Sequence, residues 1–185
     1  PRNLIVVEEE SEAIVVEKYL GSDASYFTNT VTEIFLRPGA HLYYYKIQLE
    51  GSRCYHISNT TAVLGNNSNF SSLYLDLGSK LARNDLNVMF SGEGASCMLN
   101  GLYISGSNQH IDNHTLVDHQ SSFTPSKQLY KGILAGNSTA VFNGKVIARK
   151  GTHQVDASQT NRNLLLSEKS RINTKPQLEI FADDL

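Results

Sequence analysis

The sequence is poor in several residue types that often reveal a fold or a function. Its 185 residues include no tryptophan, two cysteines, two methionines and four prolines, and 18% of them are charged. Two cysteines exclude a fold held together by a network of disulfides. No stretch approaches the roughly 20 apolar residues that span a bilayer, and a net charge of −2 gives no electrostatic reason to expect nucleic acid. We therefore expect one globular domain, residues 1–185, with neither a membrane nor a nucleic acid as its partner.

Helical periodicity is also scarce, and short strand-like segments take its place. The run Ile14, Val15 and Val16 is β-branched and favours a strand where the flanking residues would allow a helix. Sixteen asparagines and 13 glycines, which are turn residues, punctuate the chain. We therefore predict an all-β fold. The predicted strands are 4–7, 13–19, 31–36, 42–49, 55–58, 62–64, 73–77, 86–90, 98–104, 110–117, 128–134, 139–142, 145–148, 163–166 and 177–181.

Alternation within a predicted strand indicates which side chains face the core. Segment 42–49 places its odd-numbered residues, which include Ile47 and Leu49, on one face. Its even-numbered residues, which include Lys46 and Gln48, lie on the other face. The odd-numbered set is predicted to be the inner one, and the Tyr43–Tyr45 run is split between core and surface.

The arrangement of the strands is open to several interpretations. Short strands that recur at close, fairly regular intervals fit a sandwich, a barrel or a β-solenoid. Asn100-Gly101 and Asn143-Gly144 lie between apolar runs and predict tight hairpins, hence antiparallel pairing. The Asn-rich corner at 65–69 instead suits the stacked coils of a parallel β-helix. No exact repeat is readable, so the coils of such a solenoid would be degenerate.

The densest cluster of chemically competent side chains lies at 112–119. On an extended strand Asp112, His114 and Asp118 project to one side and His119 to the other. Carboxylates and imidazoles are metal ligands, so these four residues form the candidate metal site. A hydrated strand face is the simpler interpretation, because the sequence offers no second convincing ligand segment.

Motifs for catalysis are missing from the sequence. It has no G-x-S-x-G, no P-loop, no dinucleotide-binding G-x-G-x-x-G and no H-E-x-x-H. The segment Gly92-Glu93-Gly94 is predicted to be a tight corner, and Cys54 and Cys97, which lie beside apolar residues, are predicted to be reduced, buried thiols. We therefore expect no enzymatic activity and no catalytic residue.

Several segments of the sequence match the pattern of one known family, in order and spacing. In the second half they are 112–119 (DNHTLVDH), 128–134 (QLYKGIL), 141–146 (VFNGKV), 159–167 (QTNRNLLLS) and 174–184 (TKPQLEIFADD). Shorter matches in the first half are 26–29 (YFTN), 32–34 (TEI), 83–86 (RNDL) and 101–103 (GLY). With these segments the chain resembles, over nearly its whole length, the SufD family of the SUF iron–sulfur cluster assembly machinery.

The resemblance implies both a fold and a role. The fold would be a right-handed parallel β-helix with degenerate coils. The role would be that of a non-catalytic scaffold, which pairs with SufB through the end of the β-helix and with the SufC ATPase through a C-terminal region. This stretch would bind no cofactor itself, although the full complex handles a nascent iron–sulfur cluster. The location would be the bacterial cytoplasm, or a plastid for a plant homologue.

Two details refine that expectation. SufB-like chains carry a cysteine where this sequence has Val88, which favours SufD. SufD-like chains continue beyond the position of Leu185 into a stretch with a Cys and a His, and they carry helical regions at both ends. We therefore expect a fragment that holds the β-helix core, and we expect it to form a homodimer or to aggregate in isolation through its open last coil.

Two other functions fit the residues without the resemblance. A carbohydrate-binding or pectin-lyase-like β-helix protein would account for the many Asn and Tyr residues and for five N-glycosylation sequons. A metal-binding all-β protein would use the cluster at 112–119 described above.

Overall fold

The computed structural model describes residues 1–182, which form thirteen strands and no helix. Residues 183–185, which include the position of Leu185 beyond which the family's Cys and His are expected, lie outside the described residues. No helix long and apolar enough to cross a membrane occurs in residues 1–182. The strands are β1 (Arg2–Val7), β2 (Glu12–Leu20), β3 (Phe27–Leu36), β4 (His41–Leu49), β5 (Tyr55–Leu64), β6 (Asn69–Asp76), β7 (Leu81–Phe90), β8 (Ser96–Ser105), β9 (His110–His119), β10 (Pro125–Leu134), β11 (Thr139–Ala148), β12 (Asp156–Leu165) and β13 (Arg171–Ile180).

The strands form two parallel sheets that the chain visits in turn. Odd-numbered strands make a seven-stranded sheet in sequence order, and even-numbered strands make a six-stranded sheet. Each strand therefore pairs with the strand one coil away, and thirteen strands at two per coil make about six coils. Leu81 lies beside Tyr55 in one neighbouring coil and beside His110 in the other, so successive coils differ in length. This is a parallel β-solenoid with coils of unequal length, as the resemblance implies.

The two predicted Asn-Gly hairpins are wrong. Asn100-Gly101 lies inside β8 and Asn143-Gly144 lies inside β11, each in the middle of a ten-residue strand. A Cβ on Gly101 would overlap the buried ring of Tyr130 in the neighbouring coil. These glycines therefore mark close approaches to interior side chains and not turns. The predicted strands 139–142 and 145–148 are consequently a single strand.

The corners of the coils stack on one another through backbone hydrogen bonds. The Gly39 N–H donates to the Asn66 carbonyl at 2.8 Å, and the Asn67 N–H donates to the Glu93 carbonyl at 2.8 Å. Asn67 adopts a positive φ of 54°, which asparagine tolerates better than most residues. The Asn-rich segment 65–69 and the Gly92–Gly94 turn therefore occupy equivalent corners of successive coils.

The interior of the solenoid is apolar at one side and polar at the other. In β4 the buried residues are the even-numbered ones, so the predicted inner face of segment 42–49 is the outer face. Hydrophobicity is misleading here because the inner side chains find polar partners: the Tyr44 hydroxyl, for example, donates to Glu17 Oε2 at 2.7 Å. Tyr44 is buried while Tyr43 is exposed, which confirms that the tyrosine run is split.

The apolar side of the interior joins both sheets in one core. Its buried members recur one coil apart, as the inward positions of stacked strands require. From the seven-stranded sheet they include Ile34, Leu36, Leu64, Val88, Phe90, Val117 and Phe142, and from the six-stranded sheet Leu42, Phe70, Cys97, Leu99 and Tyr130. Both cysteines are free and buried, as predicted.

Candidate functional site

The four predicted metal-site residues lie on one strand but do not converge. Asp112 and His114 project outward from β9, with 2.8 Å between His114 Nε2 and Asp112 Oδ1. Arg83, one coil away on β7, forms an ion pair of 2.7 Å with the other oxygen of Asp112. A guanidinium beside the carboxylate competes with any cation for the same oxygens. In residues 1–182, no group of three or more His, Cys, Asp or Glu side chains is placed to hold a metal ion.

The other two members of the cluster have separate roles. Asp118 faces outward at the end of β9 and accepts hydrogen bonds of 2.9 and 3.1 Å from the Arg149 guanidinium. Burial would raise the pKa of Asp118, but Arg149 and Gln120 outweigh it and hold that pKa below its ordinary value. His119 faces inward, as the predicted alternation requires. This cluster therefore consists of two carboxylates that pair with arginines, His114 beside one of those carboxylates, and one interior histidine.

His119 is packed and hydrogen-bonded at both ring nitrogens. Nδ1 lies 2.7 Å from the Thr124 hydroxyl and Nε2 lies 3.0 Å from the Ser126 hydroxyl. The ring stacks on Phe90, with 4.6 Å between the ring centroids. Burial lowers the pKa of His119 to about 4, although the nearby Asp118 charge opposes the shift. The imidazole is therefore neutral at physiological pH and serves the core.

A larger polar group lies in the interior around Asn84 of β7. The Asn84 side-chain oxygen accepts hydrogen bonds from Lys46 Nζ at 2.5 Å and from Ser58 Oγ at 2.8 Å. The Asn84 amide nitrogen donates to both carboxylate oxygens of Asp76, at 2.9 and 3.0 Å, and to Asn113 Oδ1 at 2.9 Å. We call these five residues, Lys46, Ser58, Asp76, Asn84 and Asn113, the Asn84 network. All of them are buried.

The Asn84 network holds two ionisable groups away from water. Burial lowers the pKa of Lys46 to about 8, against the opposing attraction of Asp76. Burial raises the pKa of Asp76, against the opposing effects of Lys46 and Asn84. An isolated charge in such a place is costly, and a hydrogen-bonded partner of opposite sign reduces the cost. Asn84 is the side chain that contacts both groups and joins them.

A second buried polar group lies in the corner between β4 and β5. Glu50 Oε2 lies 2.6 Å from His56 Nδ1, and Glu50 Oε1 accepts a short 2.5 Å hydrogen bond from Thr28. Burial would raise the pKa of Glu50, but hydrogen bonds from Thr28 and Gln48 outweigh it and the pKa falls. Burial and the Lys46 charge lower the pKa of His56 to about 4, against the attraction of Glu50. The pair is therefore a carboxylate beside a neutral imidazole.

Neither buried thiol lies in an environment that favours a thiolate. Burial raises the pKa of Cys54, and burial alone raises that of Cys97. Val88, at the position where SufB-like chains carry a cysteine, packs in the interior between Ala62 and Val117 of the neighbouring coils. No described side chain therefore offers the reactive thiolate that sulfur acceptance requires.

Sequence reasoning missed the Asn84 network because its members are far apart in the chain. Ser58, Asn84 and Asn113 occupy the same position in three successive coils. The recurrence of a polar residue at these three positions is the signal that could have revealed it, but only once a solenoid with unequal coils had been assumed. The network can fix the stagger of neighbouring coils, since a shift by one residue would leave charges unpaired.

In the part of the chain that the structure describes, the last coil leaves inward-facing apolar side chains uncovered. Within residues 1–182, β13 pairs with β11 alone. Leu178 and Ile180 lie in register with Val146 and Ala148 of the previous coil. The earlier pair is 2% and 1% exposed, whereas Leu178 and Ile180 are 58% and 43% exposed. We call the surface formed by the inward-facing residues of β12 and β13 the open end.

Comparisons with known proteins cover the whole chain. A family model described as "SUF system FeS cluster assembly, SufBD core domain" matches residues 1–185. The chain is 31% identical to the iron–sulfur cluster assembly protein SufD of Escherichia coli over 185 residues, which is all of this chain and 44% of that protein. It is 32% identical to an iron–sulfur cluster assembly SufBD family protein of Synechocystis, and 33% identical to protein ABCI7, chloroplastic, of Arabidopsis thaliana. Those matches also cover all of this chain, with 43% and 40% of the two relatives. The chain thus spans less than half the length of these relatives.

Proposed function

This chain belongs to the SufBD core family of the SUF iron–sulfur cluster assembly system, and on that premise we propose that it is the solenoid core of a SufD-type scaffold subunit. The match of the family model to all 185 residues carries the proposal. A stack of rigid coils with buried thiols suits a subunit that presents surfaces to partners and performs no catalysis. In this proposal the cluster is cargo of the complete complex.

The open end is the surface that we assign to a SufB-type partner. Its inward-facing leucine and isoleucine are exposed although their counterparts in the previous coil are buried. The edge of β13 also presents backbone donors and acceptors that a further strand could pair. A second solenoid that continues these sheets would satisfy both the apolar side chains and the backbone edge.

Two finer parts of the proposal concern contact with the SufC ATPase and the location of the protein in the cell. We assign contact with the SufC ATPase to a C-terminal region, since the relatives are more than twice as long as the part that this chain matches. We place the protein in the bacterial cytoplasm, or in a plastid if its source is a plant, for which the chloroplast relative offers a precedent.

Co-purification from a cell that expresses all three subunits tests the proposal. The full-length protein that contains this chain is tagged and expressed with SufB and SufC of the same organism. We expect both partners in the eluate at stoichiometric amounts. Absence of both would overturn the scaffold assignment.

A matched pair of variants tests the assigned surface separately. Leu178→Lys with Ile180→Lys places two charges on the open end, whereas Leu4→Lys with Val6→Lys places them on exposed outward positions of β1. SufB should be lost from the first variant and kept by the second, while SufC remains with both. Equal recovery of SufB from the two variants would leave the scaffold role standing and exclude the open end as the contact.

A further inference from the structure

The outer face of the six-stranded sheet carries a continuous row of aliphatic side chains. One residue from each even-numbered strand or its last corner contributes, and neighbours lie side by side in the register. We call this row the aliphatic ladder. Its members are Leu20, Leu49, Leu77, Ile104, Ile133 and Leu164.

The ladder is exposed along the side of the solenoid. Leu20 is 64% exposed, and Leu164 at the other end is 55% exposed. Leu49, Leu77 and Ile104 between them remain 37–41% exposed. Scattered apolar residues are normal on a protein surface, but an unbroken row through about six coils is the pattern of a docking surface. It runs along the side of the molecule and is distinct from the open end.

A second row beside the ladder supplies positive charge. Lys18, Lys131 and Arg162 share this row with three half-buried aliphatic residues. All three cations are exposed, and none forms an ion pair within residues 1–182. Two acidic residues, Glu12 and Asp156, face outward on this sheet. Each is the first residue of its strand, whereas the ladder lies near the last. Eight residues of extended strand separate Glu12 from the ladder, which is about 26 Å.

We propose that the aliphatic ladder is the docking site of an amphipathic α-helix with an apolar stripe and acidic flanks. Neighbouring strands lie about 4.8 Å apart, close to the roughly 5.4 Å pitch of an α-helix. A helix that crosses the strands therefore places about one apolar residue per turn against each coil. Six coils span about 24 Å, which is about 16 helical residues. Acidic residues beside the stripe complement Lys18, Lys131 and Arg162.

Charge and spacing favour this occupant over two others. A second copy of the chain presents the same three cations on the same face, so it does not complement their charge. A lipid bilayer is fluid, so binding to it does not require apolar side chains at a fixed repeat along the sheet. Both occupants are outcomes that the test distinguishes.

Two designed peptides and the full chain test the proposal. Each fluorescein-labelled peptide has about 16 residues, the length that spans the ladder, with leucine at helical spacing. One peptide carries glutamate flanks and the other lysine flanks. Fluorescence anisotropy measures binding to the chain. We expect the acidic peptide to bind at least about tenfold more tightly than the basic one, and added salt to weaken the preference.

Substitutions then locate the binding surface. Ile104→Asp should weaken binding of the acidic peptide at least about tenfold, whereas Met98→Asp, an exposed outward position on the same strand, should change it by less than about twofold. Lys131→Glu replaces an exposed side chain and should leave the fold intact, but it should reduce the preference for the acidic peptide, because two cations and one carboxylate then share the row. Circular dichroism and the unfolding temperature verify that each variant folds.

Four results would overturn the proposal. The first is equal affinity of the wild type and Ile104→Asp for the acidic peptide. The second is no preference between the two peptides. The third is a dimer, seen by light scattering, that Ile104→Asp dissociates, because it identifies a second copy as the occupant. The fourth is binding to phosphatidylcholine–phosphatidylserine vesicles without binding to either peptide, because it identifies a lipid surface.

Discussion

Individual side chains hold the polar half of the interior together, and Asn84 is the central one. It contacts the buried ammonium of Lys46 and the buried carboxylate of Asp76, which lie on the facing sheet. A buried pair of opposite charges stabilises a fold only while each member keeps its hydrogen bonds. The network is therefore a point at which a small change has a large effect.

Replacement of Asn84 by leucine should destabilise the protein by about 3 kcal/mol or more, because both buried charges lose their shared partner. Urea denaturation measures the effect. Asn87→Leu is the matched control, since Asn87 lies on the same strand but faces outward, and its effect should stay within about 0.5 kcal/mol. Equal effects of the two substitutions would show that the network contributes nothing.

The buried histidines predict a loss of stability in mild acid. His56 and His119 have a pKa of about 4 in the folded protein, below the ordinary value of 6.5. As pH falls below 6.5 these histidines are protonated in the unfolded chain but remain neutral in the folded protein. The free energy of unfolding therefore decreases until about pH 4. Each histidine should contribute a loss of about 3 kcal/mol over this window.

His119→Gln tests this effect. Urea denaturation between about pH 7 and pH 4.5 should show a markedly shallower pH dependence for the variant than for the wild type, whatever the variant's stability at neutral pH. The exposed His153 provides the control, and His153→Gln should leave the slope unchanged. The same dependence of the free energy of unfolding on pH for the wild type and His119→Gln would contradict the prediction.

At the scale of the element, a glycine within a strand marks a position where a side chain of the neighbouring coil packs against the backbone. Gly101 and Gly132 lie opposite the rings of Tyr130 and Tyr103, and a Cβ at either position would overlap a ring. Since both tyrosines are buried, neither ring can move aside freely. The residue at these positions is therefore specified by the side chain beside it on the neighbouring coil of the same sheet.

Gly101→Ala should destabilise the protein by about 1–3 kcal/mol through overpacking. Gly106→Ala is the control, because Gly106 has open space around it and lies in a corner. That substitution should be neutral or slightly stabilising, since alanine restricts the unfolded chain more than glycine does. Thermal unfolding of both variants measures the effects. An unchanged unfolding temperature for Gly101→Ala would contradict the prediction, because it would mean that neighbouring coils shift to accommodate the methyl group.

The same elements show how far the sequence could predict the structure. Strand character and the Asn-rich corners were readable because they depend on local alternation and on turn chemistry. Asn143-Gly144 was misread as a hairpin because a glycine needed for close approach and a glycine needed for a turn look identical in sequence. The inner face of β4 was misread because Lys46 and Gln48 find interior partners that lie on other coils. For the cluster at 112–119, alternation predicted correctly which side chains face outward and which face inward. It could not predict that arginines on other coils form ion pairs with the two aspartates.

At the scale of the whole molecule, the two ends of the solenoid differ. At the first coil the inward-facing Val7 is buried and Ile5 is half-buried, whereas at the last coil Leu178 and Ile180 are exposed. Of the two ends, the open end therefore presents more inward-facing apolar surface for association. Self-association of the isolated chain should use that end.

Light scattering at increasing protein concentration tests this expectation. The wild-type chain should form dimers or larger species, and Leu178→Lys with Ile180→Lys should reduce them because charged side chains protect an open strand edge. Leu4→Lys with Val6→Lys should have no such effect. A wild-type chain that stays monomeric at high concentration would contradict the prediction.

The pairing of each strand with the strand one coil away has a mechanical consequence. Contacts in this molecule link each coil to its neighbours, so a force that pulls the two termini apart meets the coils one at a time. Within residues 1–182 the first and last coils are each held on one side only, so they should detach before the inner coils and at low force. The coils around Lys46 and Asp76 should resist longest, because separating them breaks a strand ladder and exposes a buried charge pair in the same step. The solenoid should therefore behave under tension as a chain of unequal links, weakest at its two ends.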